Sequence, residues 1–170
     1  SGHNLKEITA HRGDRDKGAA YFSMLFGRCA TLMTSIVRHP KPVIAEVQGL
    51  ASAAGCQLAA SCDLAFAADG ATFCTPGVNI GLFCSTPMVA LSRNVAPKHA
   101  MAMLLTGDTI TAAEAQRIDL INQVVPSNEL GTVVTELARK IASKSMVTLK
   151  TGKQAFYNQL DLSLDEAYAM

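Results

Sequence analysis

Apolar side chains at Phe22, Leu25, Phe26, Cys29, Leu32, Met33, Ile36 and Val37 recur at steps of three and four, the spacing that lines one face of an α-helix. His39-Pro40 marks its end, because the residue before a proline avoids the α region. The β-rich run at 42–47 predicts a short strand, and Gln48-Gly49 stops it. The small-residue run AAGCQLAASCDL, 53–64, predicts a helix, followed by strands at 63–67 and 71–74 separated by an Asp69-Gly70 turn. Residues 4–8 allow a helical turn, 11–18 a polar loop, and 75–83 a loop carrying Pro76, Gly77 and Gly81.

Further along, Thr86-Pro87 and Pro97 open helices, and Gly107 closes the second. Thr111-x-x-Glu114 reads as a capping box, 121–125 as a strand broken by Pro126, and Ser127 as the cap of a long helix to about residue 144. The remainder is helical, with a second capping box at Ser163-x-x-Glu166. Helix and strand alternate in the first half and helix dominates the second. That order predicts an α/β fold with a parallel sheet and one helical flank.

Composition narrows the picture. A chain of 170 residues suits one domain, and 15 basic against 14 acidic residues leave a net charge of +1 with no footprint for nucleic acid. No apolar stretch is read as long enough to span a membrane. Cys29, Cys56, Cys62, Cys74 and Cys84 are odd in number and lack a C-x-x-C pair, so they read as small buried thiols in a reducing compartment. His3, His11, His39 and His99 have no metal-ligand spacing, so no metal site is expected. The chain opens on Ser1 without an initiator Met and stops at Met170 soon after a capping box, so it reads as an internal piece of a longer protein.

The candidate chemistry lies where the strand at 42–47 gives way to the small-residue helix. A helix start aims unpaired backbone N–H groups outward, and Ala51, Ser52, Ala53, Ala54 and Gly55 leave the approach to them open. A carbonyl oxygen could then sit against the amide of Ala54. The same small residues also serve tight packing of the helix on the sheet, and both readings stand. Neither nucleotide-binding glycine motif is present, nor a G-x-S-x-G nucleophile elbow. Cys84 is a conceivable nucleophile, with a structural thiol as the simpler reading.

The stretch HPKPVIAEVQGLASAAGCQLAASCDLAFAADGATFCTPGVNIGLF resembles the signature region of the enoyl-CoA hydratase/isomerase (crotonase) family. SGHNLKE is similar to that family's A-G-x-D-[IL] segment, and LLTGDTITAAEAQRIDLINQVVP to its L-T-G…A-x-E-A stretch. PGVNIGLFCSTP resembles one branch of the family and its bacterial relatives. The resemblance implies a ββα spiral in one domain over 1–170, with a spiral core at 1–96 and a mostly helical region at 97–170 used for trimer formation. It implies an acyl-CoA thioester as ligand, with coenzyme A entering as part of the substrate and no separate cofactor. A homotrimer or a dimer of trimers follows from the same likeness.

It further implies an oxyanion hole made by the backbone amides of His3 and Ala54. Ser1, Gly2, His3, Asn4, Leu5 and Ala54 would line the substrate. The two positions where hydratases of the family carry glutamates fall at Gln57 and Gly77. An amide takes up no proton as a carboxylate does, and glycine has no side chain, so ordinary hydration is not expected. Gln57 either bonds a water or thioester or ties down local structure. Glu7 is a candidate replacement base, Asp63 a buried structural carboxylate, and Asn4 a turn former. Two functions remain: thioester enolate chemistry other than hydration, or a non-catalytic acyl-CoA-binding or trimer-partner protein. A generic α/β oligomerisation domain would leave the matched blocks unexplained. Location would be cytoplasmic in a bacterium and mitochondrial in a eukaryote.

Overall fold

A computed structural model describes residues 2–170. After the helices α1 (Leu5–His11) and α2 (Ala19–Val37), the chain runs through β1 (Ile44–Val47), β2 (Leu50–Ser52), α3 (Ala54–Ser61), β3 (Leu64–Ala68) and β4 (Thr72–Cys74). β3 returns parallel beside β1 with Ile44 opposite Leu64, and β4 returns parallel beside β2 with Leu50 opposite Thr72. Each turn of chain therefore lays one strand in each of two sheets. This repeated rise is the expected ββα spiral, and the α/β class stands.

The second half is more than a flank. A 3-10 helix (Pro76–Ile80), α4 (Ser85–Leu91) and α5 (Pro97–Thr106) lead to β5 (Ile110–Thr111), α6 (Ala112–Arg117) and β6 (Gln123–Val125). β6 completes one sheet in the order β1-β3-β6, all parallel, and β5 completes the other in the order β2-β4-β5, antiparallel to β4. The helices α7 (Leu130–Ala142), α8 (Met146–Gln159) and α9 (Leu164–Ala169) close the chain. Alanines at 59, 60, 65, 67, 68, 71, 112 and 115 are buried around Phe73, Leu91 and Leu104. Small side chains let sheet and helix approach closely, and the few large ones fill what remains.

Several expectations change. The expected 75–83 loop contains a 3-10 helix, with Pro76 at its start and Gly81 closing it at φ 75°. Ser127 caps no helix: its hydroxyl donates to Asp69 Oδ1 at 2.5 Å, and α7 begins three residues later behind Glu129. At Thr111 only half a capping box forms. Its Oγ1 accepts from the Glu114 amide, but the Glu114 carboxylate pairs with Arg117 at 2.6 and 2.7 Å. The box at Ser163 and Glu166 is complete.

α2 needs the largest correction. At 19 residues and a mean hydropathy of 1.3 it is long and apolar enough to cross a membrane by length and composition. Arg28 is its one charged residue, while its serines and threonines weigh little on a hydropathy scale. Nor is its whole apolar face covered: Cys29 and Met33 are buried, whereas Phe26 and Leu32 stay exposed. Periodicity shows which residues share a face, but only the neighbours decide how much of that face is covered.

Candidate active site at the start of α3

The join between β2 and α3 is under strain. Ala53 lies at φ 51° and ψ −114°, a conformation open to glycine and costly for a residue with a Cβ. Its N–H donates to the Cys74 carbonyl at 2.9 Å and its carbonyl accepts from the Gln57 amide at 3.0 Å, so both neighbouring segments hold it in place. The next amide, Ala54 N–H, belongs to the first residue of α3. Among the described residues the N–H groups of Ala54, Gly55 and Cys56 have no acceptor, as expected for the first turn of a helix.

Gly2 packs against this turn. A Cβ built on Gly2 would fall 2.9 Å from the Ala53 Cβ and 3.8 Å from the Ala54 nitrogen. The segment carrying Gly2 and His3 therefore passes directly in front of the α3 start, and only a residue without a side chain fits there. The His3 ring meets the edge of Phe26 on α2, with centroids 5.9 Å apart and planes at 75°. Asn4 caps α1, its Oδ1 accepting from the Lys6 amide at 3.2 Å, and Leu5 is half exposed on the first turn of that helix. Ser1 lies outside the described residues.

Gln57 is only 4% exposed. Its Oε1 faces α2 and accepts a long contact of 3.8 Å from the Cys29 thiol. Gly77 is crowded: a Cβ there would lie 2.6 Å from the Leu82 carbonyl oxygen and 2.8 Å from the Cys84 sulfur. The Gly77 amide donates to that sulfur at 3.3 Å, and its carbonyl accepts from the Leu82 amide at 2.9 Å. The volume a longer side chain would need is taken by the backbone of 82 and the thiol of 84. Beneath this turn the fully buried Thr75 donates its hydroxyl to the Met103 carbonyl at 2.9 Å, fixing the loop to α5.

Burial disfavours the thiolate at Cys29 and Cys56. Burial, with the neighbouring Cys74 and Cys84 sulfurs adding to it, pushes Cys56 up to about 12, and burial alone raises Cys29. The remaining carboxylate candidates do not converge on the site. Asp63 accepts from the Val43 amide at 2.6 Å, from Lys153 Nζ at 2.6 Å and from the Tyr157 hydroxyl at 3.0 Å, a structural role as expected. Glu7 is exposed on α1. The sequence reading named Ala53 only as one of the small residues that leave the approach open, and Thr75 only as the start of a loop. An alanine in a row of alanines carries no mark of strain, and a threonine after a strand looks like any loop residue.

The comparisons concern the family and the fold. A family profile described as enoyl-CoA hydratase/isomerase matches residues 1–170. The rat protein called enoyl-CoA hydratase domain-containing protein 3, mitochondrial, is 52% identical over 168 residues, 99% of this chain and 54% of its own length. A short-chain-enoyl-CoA hydratase of Clostridium acetobutylicum is 40% identical over 132 residues, 76% of this chain and 50% of its own length. The crystal structure of human enoyl-CoA hydratase domain-containing protein 3 superposes with a TM-score of 0.93 at 50% identity, covering 99% of this chain and 65% of that one. An enoyl-CoA hydratase from Mycobacterium smegmatis gives 0.93 at 45% identity, over 99% and 64%. The chain thus spans about half the length of the curated relatives it matches. With the profile matched from end to end and the fold reproduced at a TM-score of 0.93, the chain belongs to the enoyl-CoA hydratase/isomerase (crotonase) family, in the branch of domain-containing protein 3 and its bacterial relatives.

Proposed function

We propose that this chain is the thioester-holding part of an acyl-CoA-binding protein, in which the amides of His3 and Ala54 grip the thioester carbonyl oxygen. The observation that supports this is the strained Ala53. Strain of about 1–3 kcal/mol persists only where the surroundings enforce it, and here it sits at the turn against which Gly2, the neighbour of His3, is packed. A donor placed where negative charge develops contributes about 3 kcal/mol to lowering a barrier. Coenzyme A arrives as part of the substrate, and no further cofactor is required. Assembly as a homotrimer or dimer of trimers belongs to the same reading, as does a mitochondrial location in a eukaryote, where the named relatives are mitochondrial.

The same reading withholds ordinary hydration. Gln57 and Gly77 supply neither acid nor base, and losing such help costs about 10²–10⁴ in rate. Chemistry on the thioester other than hydration is left, or none. Crowding at Gly77 favours the second, a non-catalytic acyl-CoA-binding or trimer-partner role.

The test is acyl-CoA affinity of the intact protein, measured across chain lengths beside crotonyl-CoA hydration. Binding without hydration is expected. Ala54→Gly should keep or improve affinity because the amide remains, and Ala54→Val should weaken it about ten-fold by crowding the oxygen's path. Gln57→Glu should restore little hydration, since groups that act as a pair are not additive. Equal affinity for glycine, alanine and valine at 54 would put the ligand elsewhere. Hydration at the rate of an ordinary hydratase would overturn the assignment of Gln57 and Gly77.

A further inference from the structure

The two ends of the buried Gln57 carboxamide differ in their partners. Oε1 takes the long contact from the Cys29 thiol, and burial disfavours the thiolate there, so this end meets a donor. Nε2 has no acceptor among the described residues. Every side-chain nitrogen or oxygen that the described residues seal from solvent has a partner, so the unpaired Nε2 opens on space that a ligand or water can enter. A donor this deep in the fold calls for an acceptor. Its position is fixed from two sides. Gln57 lies three residues after Ala54 on α3, so the two are neighbours on the helix surface, with Cβ atoms about 5–6 Å apart. On α2, Phe26 meets the His3 ring and Cys29, three residues on, meets Gln57. The unpaired donor therefore stands one turn along α3 from Ala54 and one turn along α2 from the contact with His3.

We infer that the site selects 3-oxoacyl thioesters, with Gln57 Nε2 donating to the oxygen on the third acyl carbon. This rests on the proposed function, which puts the first carbon, that of the thioester, against Ala54. A single carbon separates the first from the third, so an oxygen on the third comes within reach of a donor one turn away. A ketone oxygen only accepts, which is what an unpaired N–H requires. A hydroxyl in the same place can accept as well, but its own proton would then lack an acceptor, because Oε1 already faces the thiol. A saturated chain offers no acceptor and displaces any water that Nε2 holds. A glutamate at 57 would reverse the preference, since a carboxylate accepts and does not donate.

Calorimetric titration of the intact protein with acetoacetyl-CoA, 3-hydroxybutyryl-CoA and butyryl-CoA tests this. The ketone thioester should bind about ten-fold tighter than the saturated one, with the hydroxy thioester between them. Gln57→Met, of similar volume, should bring the ratio of ketone to saturated affinity close to one. Gln57→Glu should put the hydroxy thioester ahead of the ketone. Cys29→Ala frees the amide to turn over and should narrow the gap between ketone and hydroxyl about three-fold, a ratio that lost packing alone would not move. Should these variants fail to fold, the three affinities of the unaltered protein still decide. Equal affinities would overturn this inference alone, the amide then holding water or protein. A ketone preference that survives Gln57→Met would also overturn it, since the donor would lie elsewhere. Failure to bind any of the three would overturn it together with the proposed function.

Discussion

At the scale of single residues, two positions make opposite demands on the absence of a side chain. Ala53 has a Cβ where the backbone suits glycine, while Gly77 has none where any Cβ would strike the Leu82 carbonyl. Ala53→Gly should therefore stabilise the fold by about 1 kcal/mol, the relief of strain exceeding glycine's added freedom in the unfolded chain. Ala53→Val should destabilise it by about 2 kcal/mol, since a branched residue at positive φ is worse than alanine. Gly77→Ala should cost about 1–3 kcal/mol, because backbone at 82 yields less readily than a side chain. Denaturant midpoints of the three variants check the signs. A stabilised Gly77→Ala would mean the 3-10 turn has room to hold a side chain.

At the scale of elements, the environment of α8 predicts an alkaline signature. Burial first, then the Asp63 carboxylate, raises the Tyr157 phenol well above its ordinary 10.0. A group whose folded value lies above its unfolded one contributes stability that is complete below pH 10.0 and is lost as pH rises through the folded value. The α8 attachment should therefore survive mildly alkaline conditions. In an ultraviolet titration Tyr157 should be the last of the three tyrosines to ionise, and Tyr157→Phe should remove that late step. Ionisation of all three in one step near the ordinary value would place Tyr157 in open water.

At the scale of the whole molecule, large apolar side chains stand exposed on several elements: Leu32 on α2, Leu50 on β2, Leu105 on α5, Phe156 on α8 and Leu164 on α9. Apolar surface on this scale marks contact with other protein. The 170-residue chain on its own should self-associate in a concentration-dependent way, which sedimentation velocity would detect. A stable monomer with a sharp, reversible unfolding transition would show that these faces need no cover.

How far the sequence alone reaches depends on the distance over which each feature is decided. The helix ends at Pro40 and Gly107 and the Ser163–Glu166 box were legible because their causes lie within a few residues. The family blocks likewise announced the spiral. The strands β2 and β5 were not legible: at three and two residues they carry no period, and exist because β4 runs between them. Ser127 found Asp69 across 58 positions in place of the helix it seemed to cap, and Asp63 found Lys153 across 90. Of the site, the sequence marked Ala54, Gln57 and Gly77 as positions, with Gly2 and His3 ahead of them. Only the folded chain set Gly2 against Ala53, twisted Ala53 into strain and closed the space beside Gly77. Periodicity and capping are local and survive in the letters, whereas strain and crowding arise where distant segments meet, and only tertiary structure brings those segments together.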